Sequence, residues 1–243
     1  MFPSLFHAHH SLHSEDIPFW LDLSRKCPAP LLELGCGTGR LLIPIAKEGR
    51  TIVGLDNDLD MLRLLYTNLA ESPQARPAVV QADFSAFHFA INFNLIFLAC
   101  NTYSTIKPDF RQAFLRLIWD HLSPDGLFVT SMPNPLLMKK LPRHADPEVE
   151  EVFRHPVDGE PVQVSSGWDR DQDRLTIRWH YDHLYSDGRV ERLSVPVKHY
   201  LSSPEQHRQE FAAAGFNELS CLGDYDNSAF SPRSPLLILL AHR

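Results

Sequence analysis

Three acidic residues stand at positions where a carboxylate could bind a ligand. Glu33 precedes the first of three alternating glycines by two residues, and Asp56 follows Gly37 by 19 residues. The second spacing is close to the ~20 residues at which an acidic side chain receives ribose hydroxyls in nucleotide-binding α/β folds. Asp83 ends the next apolar run and is followed by Phe84, a pair that could hold an adenine by its amino edge and its face. These spacings predict a nucleoside ligand.

The glycine turn narrows the class of nucleoside. Apolar residues lead into G-x-G-x-G, and Arg40 stands where the dinucleotide fingerprint G-x-G-x-x-G has its third glycine. A carboxylate at Glu33 would repel a pyrophosphate resting on the helix N-terminus. It would suit a cationic ligand without phosphate, and S-adenosylmethionine, with its ammonium and sulfonium groups, fits. A nicotinamide-dependent oxidoreductase on the same architecture is the alternative, against which the glycine spacing and Glu33 both argue.

Four motifs in order carry a family resemblance. They are E-L-G-C-G-T-G from Glu33, G-L-D-N-D-x-x-M-L from Gly54, Q-A-D-F from Gln81 and F-N-L-I-F-L-A-C-N-T-Y from Phe93. With these motifs the chain resembles the class I S-adenosylmethionine-dependent methyltransferases, and within them the small-molecule branch that includes sugar and amino-acid N-methyltransferases. The match runs over about residues 30–133 and resumes at about 203–243.

The resemblance assigns each motif to a part of the cofactor. It implies that the glycine turn lines the methionine end, that Asp56 takes the ribose and that Ala99 lies near the sulfonium. Asp83 and Phe84 would flank the adenine. The expected cofactor-binding set is Glu33, Gly35, Cys36, Gly37, Asp56, Asn57, Asp83, Phe84 and Ala99.

The acceptor is expected at the carboxyl end of the apolar run Phe93–Cys100, where open α/β sheets bind ligands. Asn101 and Tyr103 follow that run, although an asparagine that caps the next turn is an equally good interpretation of Asn101. Enzymes that methylate base or glutamine amino groups usually have an Asn/Asp-Pro-Pro-aromatic turn there, and the missing prolines argue against a nucleic-acid acceptor. Tyr181 and Tyr225 are further acceptor-binding candidates.

The N-terminal segment is rich in histidine, a composition that can bind metal. The spacing matches no zinc pattern and no Cys, Asp or Glu cluster completes a set, so the sequence predicts no metal and favours loop and helix-entry histidines. Ser14 is predicted to cap a helix from Glu15 to about Lys26. In related enzymes such a helix folds over the cofactor, which makes His10 and His13, together with the Tyr103 already named, the catalytic candidates; surface histidines are the alternative.

The order of apolar runs predicts the fold class. Strand and helix patterns alternate five times up to Met132, which indicates an α/β fold with a doubly wound, seven-stranded, mostly parallel sheet, like that of Rossmann-like methyltransferases. Residues 134–160 are interpreted as an irregular linker, and the alternating runs over 161–200 as an inserted antiparallel β flap over the acceptor site. The expected domains are an N-terminal helical cap over 1–29, a cofactor-binding domain over 30–133 and 201–243, and the insertion over 134–200.

Composition sets the remaining expectations. The net charge of −7 argues against nucleic acid as a partner. Four cysteines without paired spacing indicate a reducing compartment, and no apolar run has membrane length, so a cytoplasmic location without a membrane partner is expected. A small-molecule acceptor is the expected partner, and a homodimer is left open.

The predicted reaction is direct methyl transfer to a nitrogen or oxygen of a small molecule. A sulfonium is already electrophilic, so the protein mainly aligns the nucleophile and excludes water. A neutral amine needs little acid–base help, whereas a hydroxyl needs a base. No single residue stands out as that base, which favours an amine. A non-catalytic protein that has kept the cofactor pocket is the alternative.

Overall fold

Eleven strands in two sheets form the framework of the computed structural model, which describes residues 2–243. In chain order the strands are β1 (Leu31–Leu34), β2 (Ile52–Asp56), β3 (Ala78–Gln81), β4 (Phe93–Leu98), β5 (Leu122–Pro133), β6 (His144–Arg154), β7 (Pro161–Arg170), β8 (Arg174–Leu184), β9 (Val190–Tyr200), β10 (Glu218–Leu222) and β11 (Leu236–His242). Seven of them form a central sheet, and β6–β9 form a second, antiparallel sheet, which we call the flap.

The central sheet has the strand order β10-β11-β5-β4-β1-β2-β3. Strands β1–β5 run parallel, and β11 is antiparallel to both of its neighbours. The prediction of a seven-stranded, mostly parallel sheet with an antiparallel flap is therefore confirmed. The continuous apolar runs made this fold predictable, because strands covered on both faces carry no polar alternation, and β1 is buried at all four positions.

The strand order reverses between β1 and β4, which lie side by side in the middle of the sheet. At such a switch point the connections leave the sheet toward opposite faces and open a crevice at the carboxyl ends of the strands. The turns that follow β1, β2 and β4 therefore meet at one edge. The four motifs of the sequence all lie at or next to this edge.

Seven α-helices surround the two sheets within residues 2–243. They are α1 (Phe2–His10), α2 (Ile17–Lys26), α3 (Leu42–Lys47), α4 (Leu59–Ala70), α5 (Pro108–His121), α6 (Pro135–Met138) and α7 (Pro204–Ala214). Helix α7 begins with a capping box, in which the Ser203 hydroxyl accepts from the Gln206 backbone and the Gln206 amide oxygen accepts from the Ser203 backbone. None of the described helices is both long and apolar enough to span a bilayer.

The N-terminal segment differs from its prediction. The histidine-rich stretch is a helix, α1, and the next helix begins at Ile17 with Asp16 at its N-cap position, so the prediction of a Ser14 cap is wrong. Leu5 of α1 packs into one apolar cluster with Val162 and Val164 of the flap, and this tertiary contact stabilises a helix that has little amphipathic signal of its own.

The interpretation of residues 134–160 as an irregular linker is also wrong. The segment contains the short helix α6 and the strand β6, which pairs with β7 along the flap. Most side chains of β6 are exposed, and two register shifts interrupt the pairing, near Ala145–Glu148 and Val149–Glu151. An edge strand with bulges and a single buried side chain, Phe153, lacks the two-residue alternation by which strands are recognised.

Candidate active site

A cavity of about 440 Å³ lies between the carboxyl edge of the central sheet and one face of the flap. Its volume falls within the roughly 300–1,000 Å³ of small-molecule sites. The turns after β1, β2 and β4 form its floor, β8 and β9 form the opposite wall, and α1 closes one side. The cavity therefore brings together three parts of the chain that are far apart in sequence.

The turn after β1 presents its backbone to the cavity. Gly35 and Gly37 have φ values of +64° and +50°, a region that residues with a Cβ adopt at a cost. The Gly37 N–H donates to Oδ2 of Asp56 at 2.8 Å, and Oδ1 of Asp56 accepts from the Asp58 N–H at 2.9 Å. Asp56 thus fixes the glycine turn against the end of β2, with Asn57 beside it on the cavity wall.

Glu33 is a buried carboxyl on the wall of this cavity. It lies in β1 between Gly54 of β2 and Phe97 of β4, and only 4% of its surface is exposed. Its Oε2 has no hydrogen-bond partner in the described part of the chain. Burial raises the pKa of the Glu33 carboxyl well above its usual range, and the nearby Asp56 carboxylate raises it further, while the Arg40 cation opposes the shift. A cationic ligand group would supply the missing partner.

Arg40 follows the glycine turn and also borders the cavity. Its guanidinium donates two hydrogen bonds to the carboxylate of Asp16, at 2.6 and 2.7 Å, and a third to the sulfur of Cys100 at 3.1 Å. The side chains of Arg40 and Asp16 are 16% and 10% exposed. Hydrogen bonding to Asp16 raises the pKa of Arg40 despite its burial. This pair joins α2 to the cofactor side of the cavity.

Asp16→Ala is expected to lower the free energy of unfolding by about 2 kcal/mol, because it leaves a mostly buried guanidinium without its partner. Urea denaturation measures the change. The matched control is Asp22→Ala, which breaks an exposed pair with Lys26 on the same helix and should change stability by less than about 0.5 kcal/mol. Equal losses in the two variants would contradict a special role for the Asp16–Arg40 pair.

The residues expected at the adenine are only partly on the cavity wall. Phe84 borders the cavity and packs edge to face on Phe114, with ring centroids 5.7 Å apart. Asp83 lies next to the wall, and its Oδ1 accepts from the backbone and the hydroxyl of Ser85. Of the expected cofactor-binding set, the cavity wall includes Glu33, Gly35, Cys36, Gly37, Asp56, Asn57, Phe84 and Ala99.

The turn after β4 is strained. Cys100 and Asn101 have φ values of 56° and 62°, two successive non-glycine residues in the left-handed region. Such conformations concentrate at ligand sites, where the surrounding structure holds them in place. Asn101 borders the cavity, and within the described residues its side chain makes no capping hydrogen bond to the 3₁₀ turn Thr102–Thr105. Its amide is thus left for a ligand rather than for the turn.

A histidine that the sequence did not indicate completes this region. The Ser104 hydroxyl donates its one proton to the carbonyl of Asn101 at 2.6 Å, so its oxygen accepts from Nδ1–H of His199 at 2.8 Å. This chain of hydrogen bonds fixes the tautomer of His199 and leaves its Nε2 as a bare acceptor. His199 is in the cavity wall, and burial lowers its pKa to about 4. The imidazole is therefore neutral at neutral pH.

The flap contributes an apolar and aromatic wall. In the register of β8 and β9, Trp179 lies opposite Val195 and Ile177 lies opposite Val197, and all four border the cavity with Tyr181. The two-residue alternation of a strand places them on one face. From α1 the wall receives Phe2, Phe6, His7 and His10.

Besides Asp83, three of the predicted site residues lie outside the cavity wall. Tyr103 is fully buried and packs between Phe114 and Phe211, because the strained turn directs it into the core beneath the sheet. Tyr225 donates to the Ser131 hydroxyl under α2. His13 is half exposed and contacts the flap rather than the cavity. The placement of Tyr103 and Tyr225 does not agree with the acceptor role expected for them.

Comparison with known proteins agrees with this geometry. A family described as a methyltransferase domain matches residues 31–126. A Geobacillus sp. (strain WCH70) protein named "Putative methyltransferase" is 23% identical over 222 residues, which are 88% of this chain and 84% of the relative.

Solved structures share the fold over nearly the whole chain. An S-adenosylmethionine-dependent methyltransferase from Clostridium acetobutylicum (ATCC 824) has a TM-score of 0.79 at 15% identity, covering 95% of this chain and 91% of that one. A sugar N-methyltransferase from Streptoalloteichus sp. (ATCC 53650) has a TM-score of 0.73 at 21% identity, covering 95% and 87%. Together, the methyltransferase domain over residues 31–126, the similarity to the Geobacillus protein and the shared fold indicate an S-adenosylmethionine-dependent methyltransferase.

Proposed function

We propose that this methyltransferase acts on a neutral amine of a small molecule that binds between the glycine turn and the flap. The main support for this proposal is that the cavity has two chemically different halves. Its charged residues, Glu33, Arg40, Asp56 and Asp58, all belong to the central-sheet side. The flap and α1 contribute aromatic and aliphatic side chains and neutral imidazoles.

The charged half fits S-adenosylmethionine. The ammonium of its methionine part would donate to the unpartnered Oε2 of Glu33, and its carboxylate would lie near the guanidinium of Arg40. The exposed backbone at Gly35 and Gly37 allows a close approach of that part of the molecule. Asp56 is the residue proposed for the ribose hydroxyls, with Asn57 beside it, and Phe84 for the adenine face.

The apolar half defines the acceptor class. Trp179, Tyr181 and the valines opposite them would contact an apolar or ring-shaped molecule, which loses water on binding. Among the described residues, the side chains that the flap and α1 contribute to the cavity carry no full charge. They could not form an ion pair with a phosphate or a carboxylate. The sugar N-methyltransferase with the same fold is compatible with such an acceptor.

The proposed chemistry needs alignment more than proton removal. When bound, S-adenosylmethionine supplies a methyl group whose carbon–sulfur bond breaks, with its electron pair kept by sulfur, as the acceptor lone pair forms the new bond. Nε2 of His199 would accept a hydrogen bond from the acceptor N–H and so orient the lone pair. That hydrogen bond strengthens as positive charge develops on nitrogen, which stabilises the transition state.

The low pKa of His199 favours nitrogen over oxygen as the methylated atom. A base works best when its pKa is near the working pH, and an imidazole with a pKa of about 4 is too weak to take a proton from a hydroxyl at neutral pH. A neutral amine needs no such base, and the methylated product carries its extra proton away as an ammonium. His199 therefore supports N-methylation.

The test uses acceptors in matched pairs. The purified chain is incubated with S-adenosylmethionine and a panel of ring-containing amines, amino sugars included, each paired with its hydroxyl analogue, and S-adenosylhomocysteine is quantified by mass spectrometry. Conversion with amines and not with their hydroxyl partners is expected. Conversion of the hydroxyl members alone would contradict the choice of nitrogen. Tight cofactor binding without any conversion would favour the non-catalytic alternative.

A further inference from the structure

A cluster of metal-ligating side chains lies outside the cavity, where the end of α1 meets strand β6. Nε2 of His13 lies 3.0 Å from Oε1 of Glu151, and Nε2 of His9 lies 3.9 Å from Oε2 of the same carboxylate. One ligand atom from each of the three residues lies within 4.8 Å of the others. The N-terminal histidines have no such partner near them in the sequence, because Glu151 is more than 130 residues away along the chain.

We propose that His9, His13 and Glu151 bind one zinc ion, with a water molecule as fourth ligand. Zinc binds imidazole nitrogen and carboxylate oxygen at about 2.0–2.2 Å, so tetrahedral ligands stand about 3.3 Å from each other. The two nitrogen–oxygen distances of 3.0 and 3.9 Å lie on either side of that value. Both histidine–carboxylate distances are therefore close to those between two ligands of one zinc ion.

The polar atoms around the cluster also favour an ion. Oε2 of Glu151 is buried and has no hydrogen-bond partner in residues 2–243. Nδ1 of His9 is 3.0 Å from the hydroxyl of Tyr181, a contact in which the ring can donate and present a bare Nε2 to the metal. Histidine ligands of zinc commonly donate their second nitrogen in this way, which fixes the ring and its tautomer.

Ring orientation separates this cluster from a second one on the flap. The planes of His9 and His13 cross at 70°, and two imidazoles that share one ion must have planes that intersect at it. In the second cluster, His155, Asp158 and His183, the two rings are stacked at 18° with centroids 4.1 Å apart. Nearly parallel, stacked planes cannot both contain the same ion, so the second cluster serves as a control.

The ion would connect the two elements that cover the cavity. His9 and His13 belong to the N-terminal segment, Glu151 belongs to the flap, and the hydroxyl partner Tyr181 borders the cavity itself. A bound ion would hold α1 against the flap in place of a weak, partly exposed ion pair. This role is structural, and it stands independently of the acceptor proposed above.

The test measures binding of the metal alone. The purified, metal-free full chain is titrated with zinc by calorimetry and with cobalt(II), whose visible bands report tetrahedral nitrogen and oxygen ligands. One equivalent is expected, with a zinc-dependent rise in melting temperature. His13→Gln and Glu151→Gln should each weaken binding by about tenfold or more, the size of effect seen even for outer-shell changes at metal sites. His155→Gln should leave binding unchanged.

The variants distinguish a zinc site from an ordinary ion pair. His13 is half exposed, so its replacement should not prevent folding, and circular dichroism verifies this. Absence of saturable zinc binding by the wild-type chain would overturn the proposal, and so would binding that His13→Gln and Glu151→Gln leave intact. A loss of stability in both variants without any zinc effect would show an ordinary His13–Glu151 ion pair instead, and would also overturn it.

Discussion

Glu33→Gln is expected to weaken binding of S-adenosylmethionine by about 10- to 100-fold and, at the same time, to stabilise the folded chain. The loss of affinity corresponds to the roughly 1.5–3 kcal/mol of a hydrogen bond to a charged group. The carboxylate would otherwise pair with the ligand ammonium, whereas the neutral amide offers only a dipole. Isothermal titration calorimetry measures the affinity directly.

The stabilisation follows from the raised pKa of Glu33. Folding increases the proton affinity of this buried carboxyl, so its protonated form stabilises the fold below the ordinary glutamate pKa, and the contribution is lost as the pH rises through the raised value. Glutamine cannot ionise, so the variant keeps this contribution to stability at high pH. The melting temperature of the variant should therefore exceed that of the wild type by more at about pH 8 than at about pH 5.

Proton release on ligand binding provides a second readout of the same residue. If the ligand ammonium favours the ionised form of Glu33, binding should release protons, and the apparent calorimetric enthalpy should change between buffers of different ionisation enthalpy. Glu33→Gln should remove that dependence. Glu218→Gln, at an exposed position in β10, is the matched control. Unchanged affinity in Glu33→Gln would contradict the assignment of the ammonium to Glu33.

The central sheet could be predicted because its signals are local. Each parallel strand is a short apolar run, and the residues expected around the cofactor stand in or directly after these runs. Parallel strands bring their carboxyl ends to one edge whatever the helices between them do. For this reason Glu33, Asp56 and Ala99 border one cavity although they come from three different strands or turns.

The acceptor side could not be predicted in the same way, because it depends on contacts between distant segments. His199 is 95 residues from the serine that fixes its ring, and its own strand pattern does not distinguish it from neighbouring polar residues. Tyr103 follows the expected strand, but two left-handed residues before it turn its side chain into the core. His199 ends the alternating apolar run Val195 and Val197, but His183 ends a similar run in β8, so this pattern alone does not single out His199.

The role of Arg40 could be predicted from the sequence only in part. Its position in place of the third glycine argued against a dinucleotide, but the sequence did not indicate that Asp16 would pair with it. That pair depends on how α2 packs on the glycine turn, which is a tertiary contact across 24 residues.

His199→Ala is expected to lower kcat by about 100-fold on an amine acceptor found with the panel, because one hydrogen bond that strengthens in the transition state is lost. S-adenosylmethionine affinity should not change, since the cofactor contacts lie on the other half of the cavity. Steady-state kinetics and calorimetry on the same preparations measure both quantities. His10→Ala tests the histidine favoured by the sequence, and a large loss there with full activity in His199→Ala would reverse the assignment.

Two further substitutions distinguish a hydrogen-bond acceptor from a general base. His199→Gln carries an amide oxygen that can accept near the position of Nε2, so it should recover part of the lost kcat, whereas a glutamine could not replace a base. Ser104→Ala removes the acceptor of Nδ1–H and frees the tautomer, and a loss of several-fold in kcat with unchanged KM is expected.

Because the pKa of His199 is about 4, the wild-type pH profile should rise only with deprotonation of the acceptor amine and show no inflection from this imidazole between about pH 5 and 8. An inflection in that range that disappears in His199→Gln would show that the ring takes up a proton during turnover, and the hydrogen-bonding role would then be wrong.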